Sequence, residues 1–364
     1  MNALTFAGER RVEYAAVEEP RVEAPGDAIV RVRAAAICGS DLHPFHGREK
    51  GLDHGTVMGH EFVGEVVEVG REAPSSLVGE TVFSPFTTSC GDCFYCRVGL
   101  TCRCATGQLF GWVSEGAGLQ GGQAEYVRVP LAAGTLMAVP EGVGVEDALL
   151  LGDILSTGFF GAEQAGIGVL GAGGGIEPAA GAGRGTYVVV GCGPVGLMTI
   201  IAARELGAEE LFAVDAIPER LALAEELGAV PLSYRDDPVV EILREATDGR
   251  GADAVMEAVG ARAASELAIT LLRPGGVLSS VGVHTDQSFG FTPVEAYDKN
   301  LTFRSGRCPA RAYMQRLVPL VRAERLGAAQ VFTHRLPLRE GVRGYEIFDQ
   351  KLDGCIKVLL EPTA

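Results

Sequence analysis

A chain of 364 residues with 47% apolar residues is long enough for two cores, and its formal charge of −16, from 31 basic and 47 acidic residues, repels phosphate backbones and anionic membranes. Nucleic acid and membrane surfaces are therefore excluded as expected partners. The first twenty residues scatter charges where a signal peptide needs an apolar stretch, so the cytoplasm is the expected compartment; the long apolar run 186–203 is broken by Gly191, Gly193, Pro194 and Gly196 and reads as strand, turn and helix.

Up to about Pro140 short alternating runs are interrupted by Gly and Pro: Ala28 to Arg33, Phe62 to Val69, Thr81 to Phe83, Ala124 to Val129. That pattern predicts an all-β, barrel-like module. Within it, Cys38 stands in Cys38-Gly39-Ser40-Asp41-Leu42-His43, and Gly59-His60-Glu61 follows. Taken singly, a Cys after an alanine run reads as a small buried hydrophobe and a His beside Glu as a surface pair.

Five of the nine cysteines fall between Ser89 and Ala105, and Cys90, Cys93, Cys96 and Cys104 are spaced C-x2-C-x2-C-x7-C. Four thiolates at this density suit a closed tetrahedral zinc site that contributes folding energy rather than chemistry. Paired disulfides are the competing reading, and nothing else in the chain looks secreted. Cys102 is then a spare within the lobe. Phe110 and Trp112, just beyond it, could line a pocket or pack beneath.

In 166–185 roughly half the residues are Gly and most of the rest are small, which predicts a surface loop, with a lid as the functional alternative. From Gly185 the texture becomes short apolar strands separated by amphipathic helices, as in TYVVV, LFAVD, DAVMEAV and VLSSVGV, the signature of a parallel α/β sheet. Gly191-Cys192-Gly193-Pro194-Val195-Gly196 follows the first of these strands and opens a helix, and Asp215 ends the next strand. Strand, glycine turn, helix and acidic residue together read as a dinucleotide site: backbone approaches the pyrophosphate, the helix N-terminus favours the anion, and Asp215 accepts from the adenine-side ribose. Its carboxylate, followed by Ala216 rather than Arg, favours NAD over NADP. After Asn300 a strand, a helix near Arg311 to Glu324 and a closing CIKVLL strand follow.

ICGSDLH, GHEFVGEVVEVG, the cysteine lobe and VGCGPVGLM, in this order, resemble the zinc-dependent medium-chain alcohol dehydrogenase superfamily. The resemblance implies an α/β organisation: a GroES-like β-barrel catalytic domain over 1–152 with the zinc lobe at about 86–110, a Rossmann doubly wound parallel-sheet domain over 153–299, and a segment 300–364 returning to the catalytic domain. It implies a second, catalytic zinc held by Cys38, His60 and Asp153, in the branch where aspartate replaces the usual third cysteine. Glu61 resembles the acid behind the metal and is the alternative third ligand. Asp41 would hold the second ring nitrogen of His60.

By the same resemblance, hydride passes from a zinc-bound alkoxide to NAD, and the proton leaves through Ser40, the nicotinamide ribose and His43 at the surface. Thr157, Val281, Val283, Arg220 and Lys357 are implied cofactor contacts, Lys357 at the pyrophosphate. His46, His54, His284 and His334 receive no functional role. The implied substrate is a small alcohol or aldehyde and the implied assembly a homodimer or homotetramer. Alternatives are a glutathione-independent formaldehyde or aldehyde dehydrogenase or dismutase, a polyol or threonine dehydrogenase, a zinc-free reductase, and a non-enzymatic NAD-binding protein.

Overall fold

The computed structural model describes residues 1–167 and 185–362. The glycine-rich stretch expected as a loop or lid lies almost wholly outside the described residues. The chain divides into two compact units, one made of Met1–Ser156 with Pro309–Ala364 and the other of Thr157–Cys308.

In the first unit, β1 (Asn2–Gly8) and β2 (Arg11–Ala16) form an antiparallel hairpin. The main sheet has seven strands: β3 (Ala28–Ile37), β4 (Phe62–Val69), β5 (Thr81–Phe83), β8 (Tyr126–Val129), β9 (Met137–Ala138), β16 (Phe332–Pro337) and β17 (Lys357–Glu361). A small separate ribbon pairs β6 (Trp112–Ser114) with β7 (Ala117–Leu119). β3 shows why the sheet forms where it does. Only its middle alternates, with Arg31 and Arg33 on either side of buried Val32 and both paired with Glu65 of β4, while Ala28–Val30 and Ala34–Ile37 are buried throughout. Leu4, Val30, Val32, Ile37, Phe62, Val66, Phe110 and Leu360 belong to the core of this unit. Phe110 packs edge-on against Phe62, so it is core.

The antiparallel partner of the end of β3 is β17, with Val358 opposite Ile37. The closing strand thus lies beside the Cys38 turn, more than 300 residues away along the chain.

The second unit holds a parallel sheet in the order β12 (Val230–Ser233), β11 (Glu210–Asp215), β10 (Thr186–Val190), β13 (Ala252–Glu257), β14 (Leu272–Ser280), β15 (Thr302–Ser305). Relabelled from one this is 3-2-1-4-5-6, the doubly wound dinucleotide order. Its apolar strands, including Val188, Val190, Phe212, Val214, Val255 and Leu278, are buried as a parallel sheet requires. The sequence places the start of the returning segment at residue 300, whereas β15 pairs with β14 and so belongs to the parallel sheet; the division falls after Cys308. Four apolar-polar residues carry too little periodicity to distinguish a sixth parallel strand from a new domain.

Candidate metal centres and nucleotide site

Three side chains from three distant positions converge in the first unit. Cys38 follows the end of β3, His60 precedes β4, and Asp153 immediately precedes the helix Ile154–Gln164. Asp153 Oδ2 lies 3.4 Å from Cys38 Sγ and 3.3 Å from His60 Nε2, and all three side chains are buried. Ligands on one zinc, at bond lengths of about 2.0–2.3 Å, sit roughly 3.3–3.8 Å apart in a tetrahedron, so the set fits that ion.

The electrostatics make the same case. Burial, then Asp153 and Glu61, push the Cys38 thiol up. Burial alone would lower His60, but Asp41 and Asp153 hold it well above its ordinary value. Burial raises Asp153, yet His60 outweighs it and keeps the carboxylate low. A thiol and an imidazole that both hold their protons tightly stand beside a carboxylate, and a divalent cation would displace those protons.

Asp41 closes a short 3-10 turn after Cys38. Its Oδ1 is 3.2 Å from His60 Nδ1 and its Oδ2 accepts the Cys38 backbone N–H at 2.9 Å, so one buried carboxylate anchors two ligands. Ser40 Oγ is 3.3 Å from His60 Nε2, beside the ligating face. Glu61 turns the other way. Its Oε2 meets Lys357 Nζ at 2.6 Å, and Lys357 also donates to the Ile37 carbonyl at 3.3 Å. Burial pushes Glu61 up to about 7 in spite of Lys357. Lys357 is fully buried and engaged with Glu61 and Ile37, which are different partners from the pyrophosphate expected for it.

His43 also differs from its expected place at the surface. It is only 8% exposed, and its Nδ1 is buried with no hydrogen-bond partner; burial, then Arg48 and His46, lower its pKa. His46, expected as a solvated loop residue, is held by Asp349 at 2.7 Å.

The second cluster is the lobe. Cys93 Sγ lies 3.6 Å from Cys96 Sγ and 3.9 Å from Cys104 Sγ, and Cys90 Sγ lies 4.0 Å from Cys96 Sγ. Sulfurs on one tetrahedral zinc stand about 3.8 Å apart. Backbone N–H groups already point at them: Cys93 N–H to Cys90 Sγ at 3.3 Å and Cys90 N–H to Cys104 Sγ at 3.2 Å. None of the four is in a disulfide. Cys102 is buried outside this set.

In the second unit β10 ends at Val190 and the helix Pro194–Glu205 begins with Pro at its first turn. Its first internal hydrogen bond runs from Leu197 N–H to the Gly193 carbonyl, so the Val195 and Gly196 N–H groups have no intrahelical acceptor. A Cβ on Gly196 would stand 1.7 Å from the Gly191 carbonyl oxygen, so only glycine lets turn and helix meet this closely. Asp215 ends β11 and ties this turn together: Oδ2 accepts Cys192 N–H at 2.7 Å, and Oδ1 accepts Ala216 and Ile217 N–H at 2.6 and 3.0 Å. Arg220 Nη1 is 3.9 Å from Asp215 Oδ2, and its Nε is buried without a partner. Thr157 is buried one turn beyond Asp153, the Val281 N–H is bonded to the Glu257 carbonyl, and Val283 is exposed.

Sequence reasoning missed several groups. Gln123 reaches Asp41 and Tyr345 reaches Gln123 from separate parts of the chain, and His284 forms a cluster with Glu257 and Ser280, its Nε2 3.1 Å from Glu257 Oε2. No local motif marks any of them; only the adjacent glycines at 121–122 hint that backbone comes close at Gln123.

Residues 24–141 match the alcohol dehydrogenase GroES-like domain, and residues 194–334 match the zinc-binding dehydrogenase family. Zinc-type alcohol dehydrogenase B of Aspergillus flavus is 43% identical over 354 residues, covering 96% of this chain and 79% of that protein. The zinc-type alcohol dehydrogenase-like protein AdhB of Bacillus subtilis is 34% identical with full coverage of both chains. Among solved structures, alcohol dehydrogenase TADH from Thermus sp. ATN1 aligns with a TM-score of 0.88 at 40% identity over 99% of each chain.

Proposed function

This chain belongs to the zinc-binding alcohol dehydrogenase family, and on that premise we propose that it oxidises a small alcohol to an aldehyde or ketone with NAD as hydride acceptor. The observation that carries the reading is the convergence of Cys38 Sγ, His60 Nε2 and Asp153 Oδ2 with Ser40 Oγ at their edge.

Cys38, His60 and Asp153 would hold the catalytic zinc, and Cys90, Cys93, Cys96 and Cys104 a structural one. Zinc at the first site supplies Lewis acidity, which makes a hydroxyl proton easier to remove and steadies negative charge on oxygen. Ser40, whose hydroxyl both donates and accepts, takes the substrate proton. His43 passes it onward through a ring whose buried Nδ1 has no partner within the fold. Asp41 keeps His60 Nδ1 protonated so that Nε2 faces the metal. In the other unit, the Gly191–Gly196 turn takes the pyrophosphate, and Asp215, with one lone-pair site left after three backbone bonds, takes a ribose hydroxyl.

A homodimer or homotetramer in the cytoplasm accompanies this reading; among the described residues no helix is long and apolar enough to cross a membrane. The test is a panel of primary, secondary and polyol substrates followed by NADH absorbance, with zinc content measured on the same sample. Oxidation of an alcohol with NAD supports the reading. Absence of turnover across the panel, on protein holding both zincs, would sink it.

A further inference from the structure

Behind Asp41 a buried hydrogen-bond chain continues to the C-terminal helix. Gln123 Nε2 donates to Asp41 Oδ2 at 3.2 Å and to the Ala36 carbonyl at 3.0 Å, and Tyr345 donates its hydroxyl to Gln123 Oε1 at 2.8 Å. Gln123 has no accessible surface and Tyr345 is 1% exposed. The pattern fixes the amide's orientation. Both N–H bonds face acceptors and the oxygen faces a donor, so a flipped amide would set its oxygen against a carboxylate and a carbonyl.

Two points of the metal centre meet this one side chain, Asp41 and the Ala36 carbonyl. Asp41 holds His60 Nδ1 and the Cys38 N–H, while Ala36 lies in the strand that delivers Cys38. Room for it has been cleared: a Cβ on Gly59, the residue before His60, would stand 2.4 Å from Gln123 Cγ. Asp41 is buried, and a buried polar group keeps its orientation through the hydrogen bonds that satisfy it.

We propose that Gln123 and Tyr345 are positioning residues for the catalytic zinc, the tyrosine hydroxyl locking the glutamine amide that in turn holds Asp41, and through it His60 and Cys38, in ligating geometry. The inference rests on the zinc reading of the Cys38 site. It makes the C-terminal helix Gly341–Gln350 part of the metal centre although it contributes no ligand.

The test uses the full chain loaded with Co2+ at the catalytic site and Zn2+ in the lobe, titrated with a chelator. In Gln123→Met, similar in size and unable to hold Asp41, catalytic-site affinity should fall roughly 10- to 100-fold with a changed cobalt absorption band, while the lobe keeps its metal. Tyr345→Phe, which removes one oxygen and is the gentler variant for folding, should shift both in the same direction by a few-fold to tenfold. Equal weakening of both metals, or a lower Tm with an unchanged cobalt spectrum and affinity, would reduce the pair to ordinary core and overturn the proposal. If the wild type takes no cobalt outside the lobe, the zinc reading itself fails and the proposal falls with it.

Discussion

Glu61 and Lys357, 296 residues apart in sequence, form a salt bridge of 2.6 Å in which neither side chain has accessible surface. A buried pair of this kind costs desolvation to make, and removing one partner strands the other charge. Lys357→Met should therefore destabilise the first unit by about 3–5 kcal/mol in chemical denaturation, and Lys357→Met combined with Glu61→Gln should recover part of that loss. An additive double variant would mean that the two groups do not share one interaction.

Elemental analysis should find two zincs per chain. Asp153→Ala should lose the catalytic metal and keep the four-cysteine one, because only the first cluster contains Asp153. If that variant retains full activity and both metals, Glu61 is the third ligand instead.

Asp215→Gly should narrow the preference for NAD over NADP by about tenfold or more, equivalent to roughly 1.4 kcal/mol of removed repulsion. The same change deletes three backbone hydrogen bonds at the glycine turn, so binding of both nucleotides should weaken. Unchanged discrimination would show that another residue reads the ribose.

Proton NMR of the six histidines should separate two of them in opposite directions. The bond from Glu257 outweighs burial and holds His284 above the ordinary histidine value, whereas burial, Arg48 and His46 hold His43 below it. The signs differ for stability as well. The His284 contribution is full below the unfolded pKa and fades as pH rises through the raised folded one, while His43 is buried more easily neutral and costs stability as pH falls. Coincident titrations would contradict both environments.

Changing Gly59 to alanine should unfold the centre from within, since the new Cβ meets Gln123 at 2.4 Å and φ is +86°. We expect a loss of about 2 kcal/mol or more, read by thermal melting, with release of metal from the Cys38 site before the lobe.

Much of this protein is written locally. The lobe cysteines lie within 15 residues, and the dinucleotide turn is six residues between a strand and a helix, so covalent spacing and backbone geometry alone bring those groups together. Cys38 and His60 stand in short motifs at the ends of neighbouring strands. Asp153 was legible only through resemblance, because nothing in LGDILSTG announces a ligand.

The rest was decided by tertiary structure. Lys357 looked like a cofactor contact, yet the antiparallel pairing of β17 with β3 carries it behind the metal centre to Glu61. Gln123 and Tyr345 come together across 222 residues to a carboxylate that the sequence tied only to His60. Such groups follow no spacing rule, since a buried polar atom takes whichever partner the packed strands bring within about 3 Å of it. The sequence by itself thus determined the family, the lobe and the glycine turn; only the folded sheets decided how the catalytic ligands are held.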